Sequence, residues 1–128
     1  MIVCAVDDLM FSIKISTAAK SLQADVYFER SADKLLETIR EKRPSLVIFD
    51  LNSARMRPLE AIANLKRDAQ LATIPTLGYV SHVDTATIEA ARSAGIDQVL
   101  ARSAFVNQLG EILTTSSSTT GSPPGRQE

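Results

Sequence analysis

Three carboxylates directly follow short apolar segments of this sequence. Asp7 and Asp8 come after the run at 2–6, and Asp50 ends the run at 46–49. One Asp in such a place commonly caps the next helix. Three at one edge of a sheet would instead raise one another's pKa unless a cation neutralised them. Because oxygen ligands without sulfur favour a hard divalent ion, we expect Mg²⁺ there.

Two later apolar segments also end in polar or charged residues. These residues are Val80, Ser81 and His82 after one segment, and Arg102 and Ser103 after the other. Arg102 would bring one cation to the three carboxylates. His82 could serve as a proton donor near a reactive carboxylate, but a polar residue in an exposed loop is the more ordinary interpretation.

The elements that must position these residues alternate regularly. Apolar runs at 2–6, 24–28, 46–49, 74–80 and 99–101 predict strands. Helical patterns begin near Leu9, after Ser31, at Pro58, at 84 and at about Ala104. Such alternation predicts an α/β fold with a parallel sheet between helices. Ligands of these folds bind beyond the carboxyl ends of the strands.

Composition excludes several classes of protein. The 128 residues are 45% hydrophobic with a net charge of −1, which fits one globular domain and gives no basic surplus for nucleic acid. The lone cysteine, Cys4, allows neither an intrachain disulfide nor a cysteine-based zinc site. No apolar run is long enough to span a membrane and no signal peptide is evident, so we expect a cytoplasmic protein. Residues 114–128 are rich in Ser, Thr and Pro and predict a flexible tail.

Other chemistries lack their residues. No glycine-rich phosphate loop follows the first strand, and the single His does not form a hydrolase triad with Ser or Cys. An Asp nucleophile ending a strand is also found in haloacid-dehalogenase-like phosphatases. Those enzymes require a second Asp two residues further on, where this chain has Asn52.

The pattern of residues 1–113 resembles the receiver domain of two-component response regulators. The motifs that carry the resemblance are VDD after the first strand, LVIFD ending the third, IP before the fourth and AGID before the fifth. The spacings of 25 residues from Asp50 to Pro75 and 45 to Gly95 also match. The resemblance implies a three-layer (βα)5 flavodoxin-like fold with strand order 2-1-3-4-5.

The resemblance also implies roles for the carboxylates. Asp50 matches the phosphoacceptor, which takes a phosphoryl group from a histidine kinase or phosphotransfer protein. Asp7 and Asp8 match the acidic pair that holds Mg²⁺ together with Asp50, and Asn52 matches the residue whose backbone carbonyl is a further ligand. Such a domain signals to a downstream protein and is not a turnover enzyme. The family also admits a homodimer through helix four, strand five and helix five.

Six positions depart from the family pattern. Val80 stands where the fourth strand normally carries the switch hydroxyl, and Ser81 could replace it only through a bulge or a slip in register. Arg102 replaces the usual Lys, Ser103 the following cis-Pro, and Val99 the aromatic residue that moves with the switch. We expect a trans peptide before Ser103, with the loop after strand five displaced. Arg57 and Pro58 also replace an acidic residue and a Gly.

Two functional hypotheses follow. In the first, Asp50 is phosphorylated with Mg²⁺ held by the acidic cluster, and Arg102 stands in for Lys. In the second, the chain is a pseudo-receiver that binds its partner without phosphorylation. A separate hypothesis about the site pairs Arg102 directly with Asp50, so that the guanidinium replaces the metal ion.

Overall fold

A computed structural model describes residues 1–81 and 84–117, so His82 and residues 118–128 lie outside the described part of the chain. Five strands alternate with five helices and one short 3₁₀ turn. The elements are β1 (Ile2–Ala5), α1 (Leu9–Leu22), β2 (Val26–Phe28), α2 (Ala32–Lys42), β3 (Leu46–Asp50), the 3₁₀ turn (Ala54–Met56), α3 (Pro58–Arg67), β4 (Thr76–Val80), α4 (Thr85–Ala94), β5 (Gln98–Ala101) and α5 (Arg102–Ser117).

The strands form one parallel sheet in the order β2-β1-β3-β4-β5, so the predicted fold and strand order are confirmed. Alternate residues of the central strand β3 enter two separate hydrophobic cores: Val47 and Phe49 pack with α2, α3 and α4, and Ile48 packs with α1 and α5. Since β3 is covered on both faces, it reads as an unbroken apolar run. The carboxyl ends of the strands carry the candidate residues to one edge.

Several boundaries follow the local chemistry of the sequence. Gly95 ends α4 with φ 108°, the left-handed conformation that glycine adopts without strain, and Pro58 opens α3. Strand β4 begins at Thr76, two residues later than predicted. Pro75, which has no N–H to donate to the sheet, lies directly before it.

The fifth helix begins earlier and ends later than predicted. It starts at Arg102, directly after β5, and Ser103 is its second residue. No peptide bond in the described residues is cis, as predicted at Ser103. The helix continues to Ser117, and the Ser45 hydroxyl contacts the carbonyl oxygen of Ser116. The boundary between domain and tail stays a prediction.

A polar network fixes the edge of the sheet opposite the candidate site. The Nζ of Lys66 lies 2.9 Å from the Asp97 carboxylate and 3.0 Å from the carbonyl oxygens of Ala72 and Ile74. The same carboxylate accepts hydrogen bonds from the backbone N–H and the hydroxyl of Thr76. This network ties the end of α3 to the starts of β4 and β5. In the described ranges, no helix is apolar and long enough to cross a membrane.

Candidate functional site

Asp50 lies at the carboxyl end of β3, the central strand of the sheet. Its side chain is on the same face of the sheet as Ile48, and its residue is only 9% exposed. The backbone N–H of Asn52 donates a 3.0 Å hydrogen bond to Oδ1. Burial raises the pKa of Asp50; the Asn52 hydrogen bond opposes this, repulsion from Asp7 and Asp8 adds to it, and Arg102 lowers it. The carboxylate is therefore partly dehydrated and short of positive charge.

Asp7 and Asp8 are brought to the same edge, but each carboxylate has a partner within the protein. Asp7 accepts a 2.9 Å hydrogen bond from the Ser53 hydroxyl. Asp8 caps α1, since its Oδ1 accepts a 3.1 Å hydrogen bond from the N–H of Phe11. The ordinary capping role of an Asp after a strand therefore applies to Asp8.

The candidate ligands at this edge are all oxygens, which a hard divalent cation prefers. Burial raises the pKa of Asp50, and the two neighbouring carboxylates raise it further, so that a cation there would be favourable. The ligands are not preassembled. Nowhere in residues 1–81 and 84–117 do three His, Cys, Asp or Glu side chains already form a metal-binding group. The metal site at Asp7, Asp8, Asp50 and Asn52 stays a prediction.

Arg102 is held by α1. Its Nη2 lies 3.7 Å from Oδ2 of Asp8, its guanidinium carbon lies 4.3 Å from the centre of the Phe11 ring, and its Nη1 makes a long 3.5 Å contact with the Ser81 hydroxyl. The direct pairing of Arg102 with Asp50 considered above is therefore wrong for this conformation. The physical reason is the Phe11 ring, which attracts the guanidinium and holds it beside Asp8.

The altered positions on β4 and β5 lie as the register predicts. Val80 is 3% exposed and packs in the core formed with α2, α3 and α4, on the face of the sheet opposite Asp50. Val99 packs against the same core. Ser81 follows β4 and is exposed, and its N–H donates a 2.5 Å hydrogen bond to Oδ1 of Asn52. Ser81 therefore contacts both Asn52 and Arg102 without a bulge in β4.

Three aromatic rings lie beneath the acidic edge, and the sequence patterns did not single them out. The Tyr79 ring centre is 4.7 Å from that of Phe11 and 4.9 Å from that of Phe105. Phe11 could have been found from its helical spacing to Ile15, and Phe105 from its helical spacing to Leu109. Tyr79 alternates correctly along β4, but the pattern cannot say that its ring meets two others from α1 and α5.

The first turns of α1 expose apolar side chains next to the acidic edge. Leu9 is 64% exposed, Met10 76% and Ile13 53%. Since each of these residues lies within five positions of Asp8, a partner approaching Asp50 over α1 would meet an apolar surface. Sequence periodicity did not reveal this surface, because the other face of α1 supplies the helical pattern.

Solved response regulators share this fold over nearly the whole chain. A response regulator from Hahella chejuensis superposes with a TM-score of 0.81 at 13% identity, covering 95% of this chain and 98% of that one. The Mn²⁺-bound form of response regulator Rcp1 gives 0.76 at 17%, covering 95% and 97%. The chemotaxis response regulator CheY4 of Vibrio cholerae gives 0.75 at 15%, covering 88% and 93%. No known family's sequence profile and no curated protein matches the chain.

The chain therefore has the fold of the receiver domains of response regulators, and the predicted resemblance is confirmed at the level of the fold. The strand order, the four crossover helices and the final helix after β5 agree with it. At these levels of identity the fold is what the comparison shows. Activity and partners are matters for proposal.

Proposed function

We propose that this chain is a receiver domain in a phosphorelay and that Asp50 is its phosphoacceptor. The observation that carries the proposal is the placement of Asp50: it ends the central strand of the sheet, is 9% exposed, and has one carboxylate oxygen oriented by the Asn52 N–H at 3.0 Å. A carboxylate held in this way can act as a nucleophile. Because the carboxylate is partly buried, fewer water molecules would compete with it as nucleophiles for the incoming phosphorus atom.

The chemical step is a phosphoryl transfer to one Asp50 oxygen. That oxygen forms a bond to phosphorus while the P–N bond of a phosphohistidine, or the P–O bond of a small acyl phosphate, breaks. The leaving nitrogen or oxygen keeps the electron pair, and an imidazole leaving group takes a proton from solvent. A divalent cation held by Asp7, Asp8, Asp50 and the Asn52 carbonyl would neutralise charge on the phosphoryl oxygens. Mg²⁺ is the ion we propose for this chain, and Rcp1 is described as Mn²⁺-bound.

The exposed apolar start of α1 supports a protein partner for this step. Leu9, Met10 and Ile13 lie beside the acidic edge, where a histidine kinase or phosphotransfer protein must approach to reach Asp50. We propose that the product acts through a downstream protein in the cytoplasm. A small acyl phosphate needs none of this surface, and it therefore tests Asp50 independently of the partner.

Intact-mass spectrometry after incubation with acetyl phosphate and Mg²⁺ tests the proposal. We expect one phosphoryl adduct on the native chain and none on Asp50→Asn. Asp25→Asn is the matched control, because Asp25 is exposed and precedes β2 at the opposite edge of the sheet. It should be modified like the native chain. Absence of the adduct from a folded native sample would contradict the proposal.

A pseudo-receiver is the second candidate, favoured by one specific observation. Arg102 already contacts Asp8 and Phe11, so its guanidinium supplies a positive charge next to the carboxylates without a metal ion. Under this alternative the chain binds its partner without a covalent step. Failure of acetyl phosphate to modify Asp50, with a normal unfolding transition, would favour it.

A further inference from the structure

Tyr79 lies next to Asp50 in the sheet. The two residues are register partners on the parallel strands β3 and β4, and the N–H of Leu51 donates a 3.0 Å hydrogen bond to the Tyr79 carbonyl. Register partners of a parallel pair present their side chains on the same face. Both side chains therefore belong to the face that α1 and α5 cover, whereas Val80 belongs to the other face.

The hydroxyl of Tyr79 is buried and unused. The residue is 1% exposed, and within the described residues its hydroxyl and that of Ser12 are the two buried side-chain oxygens without a hydrogen-bond partner. An unpaired hydroxyl in a core costs free energy that a phenylalanine would not. The Tyr79 O–H is therefore available to donate a hydrogen bond.

The Tyr79 ring packs between two other aromatic rings, one of which also contacts Arg102. Tyr79 packs between Phe11 at 4.7 Å and Phe105 at 4.9 Å, and the guanidinium of Arg102 lies over Phe11 at 4.3 Å. Burial raises the pKa of Tyr79, the charges of Asp50 and Asp8 raise it further, and Arg102 lowers it. The phenol therefore stays protonated, so that its O–H can act as a hydrogen-bond donor.

We propose that Tyr79 supplies the strand-four hydroxyl of this site: when Asp50 carries a phosphoryl group, the phenolic O–H donates a hydrogen bond to the modified side chain. The proposal rests on Asp50 being a phosphoacceptor. It replaces the lost hydroxyl at Val80 with a donor one residue earlier, on the face that Asp50 shares. A phosphoryl group on Asp50 would supply the hydrogen-bond acceptor that the Tyr79 O–H lacks in the unmodified protein.

Two variants with the same chemical change test this role. Tyr79→Phe removes the buried hydroxyl, and Tyr27→Phe removes that of the exposed tyrosine on β2. We would measure binding of beryllofluoride, a stable phosphoryl analogue, from the gain in stability to urea with Mg²⁺ present. Tyr79→Phe should lose about tenfold or more in apparent affinity, as expected when a donor to a charged group is lost, and Tyr27→Phe should lose none. Without beryllofluoride, Tyr79→Phe should be at least as stable as the native chain.

A second measurement needs no change at Tyr79. The chain has two tyrosines and no tryptophan, so in Tyr27→Phe all tyrosine emission comes from Tyr79. We expect this emission to change on treatment with acetyl phosphate and to stay constant in Tyr27→Phe/Asp50→Asn. The emission measurement tests the role of Tyr79 even if Tyr79→Phe does not fold.

The possible outcomes separate the two proposals. If the native chain is phosphorylated but neither the affinity of Tyr79→Phe nor the Tyr79 emission responds, the role of Tyr79 is wrong and the phosphoacceptor stands. If a folded native chain accepts neither the phosphoryl group nor beryllofluoride, both proposals fail. An affinity loss confined to Tyr79→Phe, together with the emission change, supports both.

Discussion

The guanidinium of Arg102 faces Asp8, with Nη2 3.7 Å from Oδ2, and both side chains are about 40% exposed, at 39% and 40%. Arg102 also lies over the Phe11 ring three residues along α1 from Asp8. Arg102 therefore contacts two residues at the start of the first helix, and Asp8, which we propose as a ligand of the metal ion, is already paired. This relationship separates the chain from a receiver with freely available acidic ligands.

Removing the charge of Arg102 should make Mg²⁺ bind more tightly. An exposed ion pair contributes about 0.2–1 kcal/mol. Arg102→Gln releases Asp8 from this ion pair, so we expect up to about fivefold higher affinity by titration calorimetry. Arg92→Gln, on an exposed position of α4, is the matched control and should not differ from the native chain. Equal affinity in all three proteins would show that Arg102 does not compete with the ion.

Asp97 should make the stability of the fold depend on pH. Burial acts to raise its pKa, but hydrogen bonds from Lys66 and Thr76 outweigh burial and lower it. A lowered pKa in the folded state stabilises the protein above the unfolded value of about 3.9, and this contribution is lost as the pH falls through the folded value. Asp97→Asn should cost about 1 kcal/mol at pH 7, since the side chain is half exposed.

The check on Asp97 is urea unfolding across the acid range. The difference in unfolding free energy between the native chain and Asp97→Asn should shrink as the pH falls below about 3.9 and through the lower pKa of Asp97 in the folded chain, below which this carboxyl is neutral in both states. Glu37→Gln, at an exposed position of α2, should show no comparable loss at pH 7. A difference that stays constant with pH would mean that charge on Asp97 is not what matters.

Gly78 should not tolerate a side chain. A Cβ atom there would lie 2.7 Å from Cδ1 of Leu51 and 2.8 Å from Cδ1 of Ile96, both in the core. Gly78→Ala should therefore lower the unfolding free energy by about 1–3 kcal/mol, the usual cost of overpacking. Leu51→Ala frees part of that space, so the double variant should be more stable than the sum of the single losses predicts. Additive losses in denaturant titrations would disprove this packing argument.

The thiol of Cys4 should be unreactive in the native protein. Burial raises its pKa to about 12, so almost no thiolate forms at pH 8. We expect alkylation by iodoacetamide to be at least about a hundredfold slower than in urea. An exposed cysteine introduced as Ser16→Cys on α1 is the control and should react rapidly in the folded chain. Rapid native alkylation at Cys4 would show that β1 opens locally.

Local chemistry made much of the fold predictable. Buried strands such as Leu46–Asp50 are unbroken apolar runs because both faces of the sheet are covered, and Pro58 and Gly95 mark helix ends because their backbones suit those conformations. Placement of Asp50 at the carboxyl edge followed from the alternation of strands and helices. The ends of the elements were less predictable. The start of α5 at Arg102 could not be predicted, because whether Ser103 joins a helix depends on the residues that pack around it.

The sequence by itself determined which residues reach the candidate site, since strand ends of a parallel sheet meet at one edge. Tertiary structure alone decided what those residues do there. Asp8 pairs with Arg102, Asp7 with Ser53, and Tyr79 lies between two aromatic rings. These contacts join residues 46 to 94 positions apart for the two Asp pairs, because helices and strands far apart in the chain pack together. Periodicity describes one element at a time and carries no information about such pairings.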